Sequence, residues 1–240
     1  MSDHHSLSEM SITELSYSMG LSKKKYRVFY YFIIVCLHLY MHNWMGEIFP
    51  EVTFFRRLCF LTNISFYSNL IYFLYVLIMH VPYGHKFKNH HFLSAYFKFC
   101  YGLSFVVFIM YWGMIIADPS LLVRDPSIKI LPLFLDLFLH GANFIFNFIE
   151  HVYVFPKSDN KAIGIVFYIL FSFSYSIFLQ IIYRSHGIIV YPFVNKFSVV
   201  EFSLFVGIAT FMIYLGDITY RFLLQKEKTH KIHHGEGKKE

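Results

Sequence analysis

Six long apolar stretches run along the chain, separated by short polar segments. They fall near residues 26–45, 58–81, 95–116, 130–153, 162–183 and 200–222. A helix needs about 20 residues to cross the hydrocarbon core of a bilayer, and each stretch meets that length. A membrane β-barrel would instead alternate apolar and polar positions over strands of about ten residues. Pro82-Tyr83-Gly84 precedes the third stretch, and Pro156 with Lys157-Ser158-Asp159-Asn160-Lys161 separates the fourth from the fifth. The pattern predicts an all-α polytopic membrane protein, a bundle of six transmembrane helices. Residues 1–25 read as a polar N-terminal segment of little order, 26–222 as the membrane domain and 223–240 as a basic tail.

Composition agrees with this pattern. The chain has 240 residues, 56% of them hydrophobic and 15% charged, whereas a soluble domain carries about a quarter charged residues. The 30 Phe and 19 Tyr suit lipid contact and the membrane interface. A net charge of +6 and a pI near 9.0 do not point to nucleic acid, because the basic residues flank the apolar runs. With six spans, fifteen of the 21 Lys and Arg fall on the side holding both termini and loops 2–3 and 4–5. The excess of positive charge on cytosolic segments predicts that both termini are cytosolic. The chain would sit in the endoplasmic reticulum, another endomembrane or the plasma membrane. Cys36, Cys59 and Cys100 lie in or beside apolar runs, with no disulfide framework and no metal-ligand spacing. Nothing in the chain calls for a cofactor or a metal.

Ionisable groups are costly in hydrocarbon, so those inside a span are functional candidates. The fourth stretch holds Asp136, His140, Asn143, Asn147 and Glu150, spaced so that all lie on one helical face. That face must turn toward the bundle interior or a polar cavity. An interhelical hydrogen-bond stripe would account for it, although three titratable groups exceed what packing needs. The second stretch opens Leu61-Thr62-Asn63, with Asn69 on the same face as Thr62. Both stretches enter from the outer side. Thr62 then lies roughly 6–10 Å in and His140 about 15 Å along its axis, which tilt can bring to one depth. A hydroxyl and an imidazole that meet form a nucleophile and general base, and Asp136, one turn before His140, can orient the ring. Arg56 and Arg57 stand at the outer mouth, where a substrate carboxylate would remain.

Other polar groups admit different readings. His38, His42, His85, His90, His91, His230, His233 and His234 faintly resemble the His boxes of membrane di-iron enzymes, but topology divides them between two faces of the membrane. His38 and His42 then serve as interior polar contacts. Asp217 reads as a partner for Arg221 one turn on.

Phe60-Leu61-Thr62, His140 followed by Ile149-Glu150, and Gly187-Ile188-Ile189-Val190-Tyr191-Pro192-Phe193 with Tyr214-Leu215-Gly216-Asp217 form three stretches. Together they resemble the androgen-induced protein and androgen-dependent TFPI-regulating protein family. The resemblance covers most of 26–222. It implies six spans and an intramembrane threonine hydrolase acting on fatty acid esters of hydroxy fatty acids, with Thr62 as nucleophile and His140 as partner. The chain departs from the family at Leu137, where a second His is usual, at Ile145, where Pro is usual, and at Asn69, where Gln is usual. The expected partners are a lipid substrate and the membrane. Two other readings remain open: a transporter or channel lined by the Asp136–Glu150 stripe, and an inactive regulatory relative.

Overall fold

A computed structural model describes residues 12–80, 91–118, 131–151, 161–187, 190–191, 198, 200–201, 204–212, 214–216 and 218–219. Among these, every regular element is helical. The elements are α1 (Ile12–Ile48), the short α2 (Phe54–Arg57), α3 (Leu61–Tyr75) continuing as a π-turn (Val76–His80), α4 (His91–Ala117), α5 (Leu133–Leu137), a π-turn (Phe138–Ala142), α6 (Asn143–Ile149) and α7 (Lys161–His186). Four helices contain apolar spans long enough to cross a membrane: Tyr26–Ile48, Leu61–Met79, Phe92–Ala117 and Val166–His186. Shorter apolar stretches, Leu133–Ile149 and Leu204–Gly216, coincide with the fourth and sixth predicted segments. The molecule is thus a helical, multi-pass membrane protein. The predicted tail from residue 223 lies outside the described residues, as do Asp217 and Arg221.

Helix is the backbone's solution to a medium without water, since each span satisfies its own N–H and C=O groups. The ends follow local chemistry. Pro50 stops α1 two residues after Ile48, because the residue before a proline is pushed out of the helical region. Pro132 is the N-cap of α5. Gly187 ends α7 at φ +63°, and its N–H bonds the Tyr183 carbonyl at 2.9 Å. This is the left-handed C-terminal cap that glycine adopts without steric cost. At the other end, α1 begins well before the predicted span. Its 37 residues extend about 55 Å, so the turns carrying Lys23-Lys24-Lys25 outrun the hydrocarbon. Part of the expected N-terminal segment is therefore a continuation of the first helix.

α4 is the central post, packing against α3, α6, α7 and the Phe138–Ala142 turn. α1 covers α3. Two apolar clusters fill the interior. The larger gathers Tyr31, Tyr72, Phe73, Phe97, Tyr101 and Leu103. The smaller gathers Met41, Met45, Phe66, Leu135, Phe138 and Leu139, at the end of the bundle where α1 finishes and α3 begins. α7 is peripheral. Leu170 and Phe173 are 60% and 66% exposed, the face a lipid-contacting helix presents.

The stretch Leu204–Gly216 comes close to α4. A Cβ at Gly216 would lie 3.2 Å from a Phe105 ring carbon and 3.4 Å from Gly102 Cα. Small residues permit such backbone approach between membrane helices. Gly113 on the same α4 has open space around it. Gly216→Val is therefore expected to destabilise by about 1–3 kcal/mol through overpacking. Gly113→Ala should cost nothing measurable, and thermal unfolding in detergent compares the two.

Candidate active site

Thr62 occupies the second position of α3. The helix starts without a side-chain cap from its N-cap residue, Phe60. The cap comes instead from a distant tyrosine: the Leu61 N–H donates to the Tyr191 hydroxyl at 2.8 Å. Tyr175 donates to the Cys59 carbonyl at 2.8 Å, which leaves the Tyr191 hydroxyl to donate to Tyr175 at 3.2 Å. Asn63 Nδ2 donates to the Arg57 carbonyl at 3.0 Å and closes α2 onto α3. The first turn of α3 is thus held from two sides. Among the described residues the Thr62 hydroxyl has no hydrogen-bond partner; at the second position of the helix it has no carbonyl of a preceding turn to bond back to, as a Thr further along would.

His140 lies within the π-turn Phe138–Ala142. Single π-turns inside α-helices concentrate at functional sites, and this one redirects a face. Above it, His140 Nδ1 donates to Asp136 Oδ1 at 2.9 Å, with the Asp136 carbonyl at 3.1 Å. The carboxylate fixes the tautomer with the proton on Nδ1 and leaves Nε2 unprotonated, a proton acceptor. His140 is 8% exposed, and Nε2 has no partner among the described residues.

One cavity of about 270 Å³ brings the predicted pair together, lined by Thr62 and His140 with Arg57, Asn63, Phe49 and Leu139 among its walls. No hydrogen bond joins Thr62 to His140; the cavity lies between them. Its volume stands at the lower edge of small-ligand sites, and its walls are mostly apolar. Among the described lining residues, Arg57 is the only Lys, Arg, Asp or Glu. Its Nε donates to the Val52 carbonyl at 3.1 Å and its Nη2 to the Phe49 carbonyl at 3.0 Å, which pins the guanidinium at the rim. Arg56 is exposed and does not line the cavity.

Below the π-turn the predicted stripe turns to a different task. Asn143 Oδ1 bonds His38 Nε2 at 2.8 Å, and His38 Nδ1 bonds the Ile34 carbonyl. Asn147 Nδ2 donates to Asn69 Oδ1 at 2.7 Å and to Ser104 Oγ at 2.9 Å. Asn69 Nδ2 in turn donates to Ser104 Oγ at 2.9 Å. Glu150 Oε1 accepts from Tyr31 at 2.8 Å and Tyr72 at 3.1 Å. Asn69 and Asn143, expected near the reacting groups, therefore act as interhelical ties outside the cavity. His42 Nδ1 bonds the Tyr67 hydroxyl at 3.0 Å. The His230, His233 and His234 cluster lies outside the described residues, and among those described no group of His, Cys, Asp or Glu could hold a metal. Sequence reasoning missed Tyr191, Tyr175 and Tyr111. Only Tyr191 carried a signal, its place in the Gly187–Phe193 stretch.

Fold and site define a multi-pass membrane protein with a His–Asp pair facing a free hydroxyl across an apolar cavity. The chain belongs to the FAR-17a/AIG1-like protein family, whose model matches residues 26–225. Neither a curated protein nor a solved structure matches the chain.

The split of the stripe is testable. Asn147→Ala and Asn69→Ala should each destabilise by about 0.6–1.7 kcal/mol, the scale of interhelical hydrogen bonds in membranes. The double variant should cost less than the sum, because the two amides share one junction. Thermal unfolding in detergent reads both, and strict additivity would contradict the shared junction.

Proposed function

We propose that this protein is an intramembrane hydrolase of lipid esters, with Thr62 as nucleophile and His140 as general base. Fatty acid esters of hydroxy fatty acids are the preferred substrate class. One observation carries the reading: the unpartnered Thr62 hydroxyl and the buried, Asp136-oriented His140 line the same apolar cavity. Family membership supports it. In this reading the chain makes six spans with both termini cytosolic, and the cavity opens toward the lumenal or outer face.

The chemistry follows from the donors present. Thr62 Oγ attacks the ester carbonyl while His140 Nε2 takes its proton. The tetrahedral adduct collapses, His140 returns the proton to the leaving alkoxide, and the hydroxy fatty acid departs. An acyl-threonine remains. Water, deprotonated by His140, attacks the acyl carbon, and Thr62 recovers its proton as the second acid leaves. Asp136 stays ionised and holds the imidazolium that forms in each half-reaction. The apolar walls take the acyl chain. The substrate ester branches from mid-chain, below the headgroups, which suits a nucleophile in the first turn of a membrane-spanning helix.

The transporter alternative receives less support. Asn143, Asn147 and Glu150 are at most 2% exposed and are bonded across helices, an arrangement suited to packing rather than to lining a conduit.

Purified Thr62→Ala and His140→Ala proteins should each remain folded and lose at least about a hundredfold in lipid-ester hydrolysis. Activity retained in either variant rejects the pair. A lipophilic fluorophosphonate should label the wild type and not Thr62→Ala. The rim makes a separate prediction. Arg57→Ala should raise KM about tenfold for substrates with a free carboxylate, the scale of a lost charge-assisted contact. The methyl-ester analogues should change little, and equal effects on both would assign Arg57 to holding the Phe49–Val52 turn alone.

A further inference from the structure

Tyr111, on α4, meets His140 and Asp136 at once. Its ring lies over the imidazole with centroids 3.4 Å apart and planes 5° from parallel. Its hydroxyl donates to Asp136 Oδ1 at 2.6 Å, the same oxygen that receives His140 Nδ1 at 2.9 Å. Two donors on one carboxylate oxygen fix the carboxylate, and through it the imidazole plane. The stacked ring blocks rotation of the imidazole about its own axis. An imidazole so held has one free atom, Nε2, and one direction in which to use it.

The arrangement does more than hold a ring. When His140 takes the nucleophile's proton, positive charge spreads over the imidazole. The π-face of a phenol attracts such a cation, most strongly in a desolvated setting. The neutral imidazole of the resting state gains less. The contact therefore favours the charged state that forms during the reaction over the ground state, which is the condition for raising kcat. Substrate does not need to touch Tyr111, which is absent from the cavity lining.

We propose that Tyr111 is a positioning residue for the His140–Asp136 pair, acting on the reaction through the imidazole and not on substrate binding. The proposal rests on the hydrolase reading above and extends it with a residue that neither the apolar pattern nor the stretches shared with the family single out.

The test is a kinetic cycle on full-length protein in detergent or vesicles, with a fatty acid ester of a hydroxy fatty acid as substrate. Tyr111→Phe keeps the ring and removes only the hydroxyl. It should lower kcat about tenfold with KM unchanged. Tyr111→Leu removes both contacts and should lower kcat about a hundredfold. In an Asp136→Asn background, Tyr111→Phe should change kcat by less than about twofold, because its hydroxyl acts through that carboxylate. A residue that merely packs would move KM and kcat together and would add its effect to that of Asp136→Asn; either result overturns the proposal. Unchanged kcat in Tyr111→Phe overturns it as well. If Tyr111→Leu fails to fold, the isosteric Tyr111→Phe still decides. If the wild type shows no Thr62-dependent hydrolysis, the hydrolase reading falls and this proposal with it. Thr62-dependent turnover indifferent to Tyr111 removes the proposal alone.

Discussion

The amide of Asn147 is the junction on which the bundle depends. In one place it joins α6 to α3 through Asn69 and to α4 through Ser104. Lipid tails are as apolar as the helices they surround, so burial of leucine and phenylalanine surface gives membrane helices little reason to prefer one another over lipid. Hydrogen bonds between helices and close packing supply the preference. An amide nitrogen left unpaired in this interior would cost more than the bond contributes, so the bonds of Asn147 Nδ2 favour one rotation and depth of α6. The Asn143–His38 pair above it and the Glu150 contacts with Tyr31 and Tyr72 below it repeat the device. α6 is thereby tied at three levels to α1, α3 and α4.

A helix tied so firmly can carry a strained or special feature at its other end. The π-turn Phe138–Ala142 adds a residue to one turn and changes the face that follows. The tied half points Asn143, Asn147 and Glu150 at its neighbours. The other half points Asp136 and His140 toward α4 and the cavity. One stripe in the sequence thus becomes two surfaces, the first bonded to neighbouring helices and the second turned to α4 and the cavity. The opposite wall has a comparable plan. Tyr191 and Tyr175 hold the start of α3, so that Thr62 presents its hydroxyl without bonding it to the helix.

Much of this was legible in the sequence, and the gaps have physical causes. Apolar runs mark helices in a bilayer because no other open structure satisfies the backbone there, and the four long helices lie where those runs predict. The fourth run read as one continuous helix, but its described core is broken into α5, a π-turn and α6. Apolar periodicity is nearly blind to one inserted residue, since the whole segment is hydrophobic whichever face it shows. The same blindness grouped Asn143 with Thr62 and His140, because equal spacing implies a common face only in an unbroken α-helix; Asn69 does share the unbroken α3 with Thr62 but lies two turns further along it. The contact between Asp136 and His140 was readable, since a one-turn separation survives the break. Arg56 and Arg57 are adjacent, hence alike in sequence, yet α2 turns only Arg57 into the cavity.

The tyrosines show where composition misleads most. Their abundance reads as an adaptation to lipid and interface, and for Tyr26 and Tyr40, both exposed, that reading holds. The interior uses others differently. Tyr30, Tyr96 and Tyr168 donate to the carbonyls of Phe146, Ser68 and Lys98, and Tyr31, Tyr72 and Tyr111 donate to carboxylates. A phenol carries a polar tip on a large apolar body. It can cross the gap between two helices, fill it, and deliver one hydrogen bond at the far side. Serine cannot reach, and lysine or arginine would bring a charge that hydrocarbon penalises. In a bundle with little apolar driving force of its own, tyrosine is the residue that packs and specifies at once. His140 and the first turn of α3, which carries Thr62, are both held by tyrosines from other helices or loops. Their placement across a shared cavity is thus a property of the whole bundle rather than of either segment.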